Sequence, residues 1–199
     1  MATPQEIIKA MVASLHQNHF KELGFRKSGT TWVRSLPWPQ VINIQLSRWN
    51  TSTEASFTVN LGIFIETLHT ASEGLPIKGS LKEADCDLRE RIGQLSPTAQ
   101  DKWWKVTPDS DLSLLTEDVF ANLKQFGLPW LERLTDYPAL AVEFTKAKRP
   151  FMASLAYHFA GDSIAAEKAM SDAFANSHPL GKPKLERVAL AVGIPIKER

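Results

Sequence analysis

Hydrophobic and polar residues alternate along three stretches of the chain, residues 41–49, 57–64 and 85–92. In the first of these, for example, Ile42 and Ile44 flank Asn43. Successive side chains of a β-strand point to opposite faces of the sheet, so each stretch is predicted to form a strand with one apolar and one polar face. Residues 30–36 are predicted to form a strand before them, and the short polar connections indicate antiparallel neighbours. The pattern therefore predicts a four-stranded antiparallel meander.

Two longer segments repeat apolar residues at helical spacing. The first begins at a capping box formed by Thr3 and Glu6, and Gly24 ends it. The second is capped by Asp111 and ends at Gly127. Each carries an apolar stripe that must be covered, so we expect these two long helices to pack against the apolar face of the sheet. The expected fold class is α+β.

The composition changes after residue 135, where alternating stretches cease and alanine-rich helical segments begin. Four residues fall at the spacing of one tetratricopeptide-like helical hairpin: Gly161, Asp162, Ala166 and Ala173. A single hairpin cannot bury its own apolar face, so we expect it to dock on the rest of the chain. The predicted organisation is an α+β domain over residues 1–135 and a helical extension over residues 136–199. Residues 70–84, which hold glycine and proline without periodicity, are predicted to form a surface loop.

Composition and charge narrow the class of protein. The chain has 199 residues and a formal net charge of +1, which argues against a general nucleic-acid binder. A single cysteine cannot form an internal disulfide, and no secretory leader pattern opens the chain, so we expect a cytoplasmic protein. The longest apolar runs are shorter than the roughly 20 residues that a membrane helix requires, and no membrane association is expected.

The predicted polar sheet face collects amide and guanidinium groups, which are the main candidates for ligand or partner binding: Asn43, Gln45, Asn60, Arg89 and Arg91. Arginine forks bind planar oxyanions, and amides fix the orientation of a bound group. Such a face could therefore hold a carboxylate, a phosphate or a protein segment. The alternative is an ordinary wetted face, which antiparallel sheets commonly have.

Aromatic residues add to this candidate surface. Trp49 follows the first alternating stretch, and Trp103 and Trp104 are adjacent in the chain. Neighbouring residues of a regular element cannot both face the core, so one tryptophan of the pair is expected in the core, and the other is either exposed for binding or buried like most aromatic residues. Trp49 and Trp104 are taken as candidate binding residues, because exposed tryptophan stacks well on a partner.

Catalytic and metal-binding residues are not predicted. The alternation places Cys86 on the apolar side with Leu88 and Ile92, which favours a buried thiol over a nucleophile. His16 and His19 are three residues apart but have no third ligand at a suitable spacing, so no metal site is expected. No cofactor fingerprint is found, and none is predicted.

A series of landmarks resembles a known family. In chain order they are Leu23-Gly24-Phe25, Gln45 with Ser47 and Arg48, Asn60-Leu61-Gly62, Cys86 with Arg89 and Arg91-Ile92-Gly93, and Lys102-Trp103-Trp104. Together they resemble the bacterial domain-of-unknown-function family 4304 over about residues 4–134. The resemblance implies a small α+β domain in a bacterial cytoplasm. It supplies no activity, cofactor or catalytic residue.

Three functional hypotheses follow. The first is a non-catalytic binding module that engages another protein through the polar face or the helical extension, as an immunity or regulatory partner. The alternative is a receptor or enzyme for a small anionic ligand, with a pocket between the polar face and the Trp103 segment. The third, nucleic-acid binding, would use basic residues near the C-terminus, and the modest charge makes it the least favoured: Lys182, Lys184, Arg187, Lys197 and Arg199.

Overall fold

The computed structural model describes residues 2–77 and 79–197. They form two compact units, which are described separately. The first unit contains residues 2–64 and 79–132, and the second contains residues 65–77 and 133–197. The second unit therefore includes an internal segment of the chain, residues 65–77, that the sequence pattern did not assign to it.

The bounds of the regular elements are as follows. The helices are α1 Pro4–Leu15, α2 Glu66–Glu73, α3 Leu112–Asn122, α4 Leu128–Arg133, α5 Tyr137–Lys146, α6 Pro150–Phe159, α7 Ser163–Asn176 and α8 Lys182–Val192. The strands are β1 Arg26–Ser28, β2 Thr31–Leu36, β3 Trp38–Leu46, β4 Ala55–Ile63, β5 Leu88–Arg91 and β6 Trp104–Val106. A π-helical turn extends α1 over His16–Phe20, and a second joins α3 to α4 over Leu123–Gly127.

The first unit is built on a six-stranded antiparallel sheet in the order β1-β2-β3-β4-β5. Strand β6 pairs with the beginning of β4, while β5 pairs with its end. The α+β class and the antiparallel sheet are confirmed, but the predicted count of four strands is wrong for the described residues. The two additional strands, β1 and β6, have three residues each, which is too short for alternation to reveal them.

The apolar face of the sheet is covered by the two long helices. Ile42 lies opposite Leu61 in the β3–β4 pair, and both side chains are fully buried. Phe20, in the π-helical turn after α1, packs edge-on against Trp32 of β2 with 4.8 Å between ring centroids. A Cβ on Gly127 would lie 3.2 Å from a methyl carbon of Leu61, so the end of the second helix approaches the sheet closely. The aliphatic rows thus point toward the helices, as the alternation predicts.

A buried polar network on this face was not predicted from the sequence. The guanidinium of Arg34 on β2 donates from Nε to Oε1 of Gln40 on β3 at 2.7 Å. Gln40 in turn donates from Nε2 to the backbone carbonyl of Leu131 in α4 at 2.9 Å, and Arg34 reaches the carbonyl of Leu23 at 3.4 Å. Carbonyls at helix ends lack partners within their own helix. Arg34 and Gln40 therefore join the ends of two helices to the sheet.

The second unit consists of helices. Helices α6 and α7 form a hairpin whose connection contains Gly161 with a φ of 83°. Ala166 and Ala173 of α7 are buried, which allows close packing of the two helices. Helix α2 extends into the segment predicted as a loop, of which it includes residues 70–73, and it packs against α6 and α8. The likeness of the hairpin to a tetratricopeptide unit stays a prediction.

Two of the five basic residues near the C-terminus are paired with carboxylates. Lys184 pairs with Glu73 at 2.8 Å, and Lys197 pairs with Glu167. Arg199 lies outside the described residues. Among the helices that the structure describes, none has both the length and the hydropathy needed to cross a bilayer.

Replacement of Arg34 tests the buried network. Arg34→Met removes the donors to Gln40 and to the Leu23 carbonyl, and the buried Oε1 of Gln40 then lacks its partner. We expect the free energy of unfolding, measured by urea denaturation, to fall by about 2–4 kcal/mol. Arg26→Met on β1, where the side chain is exposed, should change it by less than about 0.5 kcal/mol. Equal effects of the two substitutions would contradict a stabilising role of the network.

Candidate functional site

The five predicted amide and arginine residues lie on one face of the sheet. Asn43 of β3 lies opposite Asn60 of β4, and Asn60 lies opposite Arg91 of β5. Gln45 is two residues after Asn43, and Arg89 is two residues before Arg91, so both share that face. This surface, which we call the polar face, is opposite to the face that the helices cover.

The amides of the polar face are hydrogen-bonded to neighbouring strands. Asn60 is buried and donates from Nδ2 to Oε1 of Gln45 at 2.8 Å. Asn43 donates from Nδ2 to the hydroxyl of Thr31 on β2 at 2.9 Å. Gln45 is exposed, and its Nε2 has no hydrogen-bond partner among the described residues. The amide donors of Gln45 are therefore available to a bound group.

Both arginines of the polar face are neutralised by carboxylates. Arg89 donates from Nε and Nη2 to the two oxygens of Glu83 at 2.6 and 3.2 Å, and these hydrogen bonds raise the pKa of Arg89. Arg91 donates from Nη1 to Asp101 at 2.6 Å. The structure thus brings the two guanidinium groups onto one face, but each already holds a carboxylate. They do not form an open fork for an anion.

The Trp103–Trp104 pair is divided between the two faces of the sheet. Trp104 lies opposite Phe57 and stacks on it at 5.4 Å, and only 6% of the side chain is exposed. Its indole nitrogen donates to Asp118 of α3, on the face that the helices cover. The prediction that Trp104 contributes to a binding surface is therefore wrong. The register of β6 against β4 determines which of the two tryptophans is buried. The two residues are identical and adjacent, so the sequence of the pair does not show which one it is.

Trp103, and not Trp104, lies on the polar face. It is 38% exposed, and its indole nitrogen donates to Asp101 at 2.9 Å. The guanidinium of Arg91, which binds the same carboxylate, lies 5.6 Å from the centre of the Trp103 ring. Asp101 therefore holds the aromatic side chain and the arginine in one cluster.

Trp49 and Trp103 line a hollow of about 520 Å³ at the end of the polar face. Trp49 is 76% exposed, and the guanidinium of Arg48 lies 4.8 Å from the centre of its ring. We call this depression the tryptophan hollow; its lining is completed by Gln45, Leu46, Ser47, Arg48 and Ser56. A second hollow of about 170 Å³ adjoins it at Gln45 and is lined further by Asn60, Glu83, Arg89, Glu90 and Arg91.

Arg48 lines the tryptophan hollow, and Lys105 lies beside it, opposite the lining residue Ser56. Neither Arg48 nor Lys105, an exposed residue of β6 opposite Ser56, forms an ion pair with any described residue. Uncompensated positive charge attracts carboxylates and other anionic groups, most strongly where water is excluded. The hollow is therefore suited to a group that combines apolar surface with negative charge.

Cys86 differs from its predicted placement. A short 3₁₀ turn at Glu83–Asp85 precedes it, so the alternation of β5 does not extend back to this residue. A Cβ on Gly62 would lie 2.6 Å from the Cys86 sulfur, which places the thiol over the polar side of β4 and not with Leu88 and Ile92. Burial raises the pKa of the thiol strongly, so the nucleophilic thiolate is disfavoured.

The two histidines considered as metal ligands lie in the π-helical turn that follows α1. His19 stacks on Phe120 of α3 with 3.6 Å between ring centroids, and burial lowers its pKa. His16 carries a buried Nδ1 without a hydrogen-bond partner. Within the described residues no group of three histidine, cysteine or acidic side chains could hold a metal ion.

The comparison with protein families gives a match that includes most of the first unit. The pattern of DUF4304, a domain of unknown function, matches residues 16–133, which is more than half of the chain. The chain therefore belongs to this family. The matched range contains every residue of the polar face and of the tryptophan hollow. Neither a comparison with curated proteins nor one with solved structures gave a match.

Chemical labelling of the Cys86 thiol tests whether this residue is buried over the polar side of β4. Cys86 should resist modification by a disulfide reagent such as DTNB at about pH 8 in the native protein and react fully after unfolding, because both burial and a raised pKa suppress the thiolate. Ser52→Cys, in an exposed turn, provides the reactive control in a Cys86→Ala background. Equally fast labelling at positions 86 and 52 in the folded proteins would contradict the placement of Cys86.

Proposed function

We propose that this protein is a non-catalytic interaction module that binds a protein partner through the polar face and the tryptophan hollow. The single observation that carries the proposal is the exposure of Trp49 and Trp103 around one hollow, each beside an arginine. Tryptophan and arginine supply much of the binding energy in protein interfaces, where a few such residues dominate. The interaction would therefore centre on these two indole rings.

The state of Arg89 and Arg91 supports a protein partner over a small anion at the centre of the face. Both guanidinium groups already hold carboxylates, of Glu83 and Asp101. The hollow beside them, at about 170 Å³, is smaller than the roughly 300–1,000 Å³ of small-molecule sites. A protein surface could instead cover this charged network and form additional hydrogen bonds at its rim.

The charge around the tryptophan hollow favours an acidic partner surface. Arg48 and Lys105 would each gain a carboxylate across the interface, since neither has one among the described residues. Complementary charge speeds association and selects against basic partners. We also propose a bacterial cytoplasm as the setting, which is supported by the single, buried Cys86, because disulfide-free chains are typical of reducing compartments.

A small anionic ligand in the tryptophan hollow is the second candidate. Its volume of about 520 Å³ falls within the range of small-molecule sites, and Arg48 at its rim could hold a carboxylate or phosphate. This ligand would stabilise the folded protein by an amount that rises with the logarithm of its concentration once that concentration exceeds the dissociation constant. A thermal shift with citrate or a nucleoside monophosphate that is lost in Arg48→Gln would favour this candidate over a protein partner.

Site-specific crosslinking tests the protein-binding proposal. A photoreactive benzoylphenylalanine at position 47, inside the tryptophan hollow, should crosslink a partner in cells, whereas the same residue at exposed position 114 of α3 should not. The partner is then purified. Trp49→Ala and Trp103→Ala should each weaken its affinity by about 30-fold, which corresponds to the roughly 2 kcal/mol of an interface hot spot.

Leu114→Ala is the matched control for these measurements, because Leu114 is an exposed apolar residue on a helix of the opposite face. Its affinity for the partner should equal that of the unaltered protein. Unchanged affinity in both tryptophan variants, or equal crosslinking from positions 47 and 114, would overturn the proposal.

A further inference from the structure

The helical second unit contains a cavity of about 760 Å³. This volume lies within the roughly 300–1,000 Å³ of cavities that hold small molecules. The connection from α5 to α6, the first turn of α6 and the second half of α7 form most of its wall, and α2 and α8 contribute one charged residue each, Glu73 and Lys184. All of its lining residues belong to the second unit.

The floor of the cavity is apolar. Met152 and Ala153 of α6 and Ala173 of α7 are buried, and Ala169 lies half-buried one helical turn before Ala173. Alanine side chains on facing helices leave space that a larger residue would fill. The floor therefore offers an apolar body both room and a surface from which to exclude water.

The rim of the cavity carries an excess of positive charge. Three cations, Lys148, Arg149 and Lys184, line it together with the two carboxylates of Glu73 and Asp172. The Nζ of Lys184 donates a hydrogen bond to Oε1 of Glu73 at 2.8 Å, and this hydrogen bond lowers the pKa of Glu73. Lys148 forms no ion pair with a described residue. One positive charge at the rim is therefore uncompensated.

We propose that this cavity binds an amphipathic monoanion, a molecule with an apolar body and a single carboxylate. The apolar body lies on the floor of Met152, Ala153, Ala169 and Ala173, and the carboxylate pairs with Lys148. A monoanion would balance the single excess positive charge of the rim, whereas a cation would be repelled by Lys148 and Arg149. This site is independent of the polar face and of the function proposed for it.

Calorimetric titration of the full-length protein with three probes of equal chain length tests the ligand class. Octanoate should bind saturably with a one-to-one stoichiometry. Octanol, which has the same apolar body without the charge, should bind about tenfold more weakly, since a charge-assisted hydrogen bond is lost. Octylammonium should not bind. Absence of saturable octanoate binding, or equal affinity for octanoate and octanol, would overturn the proposal.

Two pairs of variants then locate the site. Lys148→Gln should weaken octanoate binding by about tenfold, while Lys168→Gln, on an exposed position of α7 outside the cavity, should leave it unchanged. Ala169→Leu fills the cavity and should abolish binding, whereas Ala175→Leu, exposed on the same helix, should not. Circular dichroism establishes that each variant is folded. Full binding in a folded Ala169→Leu protein would place octanoate elsewhere and overturn the proposal.

Discussion

The pairing of β3 with β4 is the constraint on which the rest of the first unit depends. It places Ile42 opposite Leu61 and, one residue on, Asn43 opposite Asn60. Because side chains alternate with a period of two, a shift of one residue in either strand would exchange its two faces. Amides would then lie against the helices, where each unpaired polar group costs on the order of 1–3 kcal/mol. The hydrophobic pattern therefore specifies the core and the polar face together.

The parts of this architecture that follow from periodicity could be predicted from the sequence. Strands β3 and β4 alternate over enough residues to establish both their existence and their orientation. The three-residue strands β1 and β6 are too short for this, and only pairing in the folded sheet defines them. Helix α2 has no side-chain cap and only eight residues, and the Gly74 and Pro76 that follow it predict a loop.

Other features depend on tertiary contacts that no local pattern encodes. Trp103 and Trp104 are the same residue type in adjacent positions, and the distinction between them arises from the pairing of Trp104 with Phe57. Arg34 and Gln40 have the appearance of exposed strand residues. They are buried because carbonyls at the ends of two helices require donors at that place in the sheet. Such residues are recognised only when the partner element is known.

The ion pairs of the polar face hold its long side chains in defined positions. Arg89 donates two hydrogen bonds to the carboxylate of Glu83, and Arg91 and Trp103 both donate to the carboxylate of Asp101. Binding normally costs about 0.5–1.5 kcal/mol of entropy for each long side chain that becomes ordered. Arg89, Arg91 and Trp103 are already ordered by these contacts in the folded protein, so binding at this face would lose less side-chain entropy. The charges of Arg89 and Arg91 are balanced within the polar face, so among the described residues the uncompensated positive charge of this side of the sheet lies at Arg48 and Lys105.

The discontinuity of the second unit has a consequence for biosynthesis. Helix α2 leaves the ribosome before α5, α6, α7 and α8, yet its buried residue Leu68 belongs to the unit that those helices complete. Until translation reaches α8, α2 lacks part of the packing that it has in the mature fold. The helical unit is therefore not complete in the C-terminal residues 133–197 alone, because it also requires α2. A chain terminated near residue 135 would release a nascent product with an orphaned helix and not a smaller, complete protein.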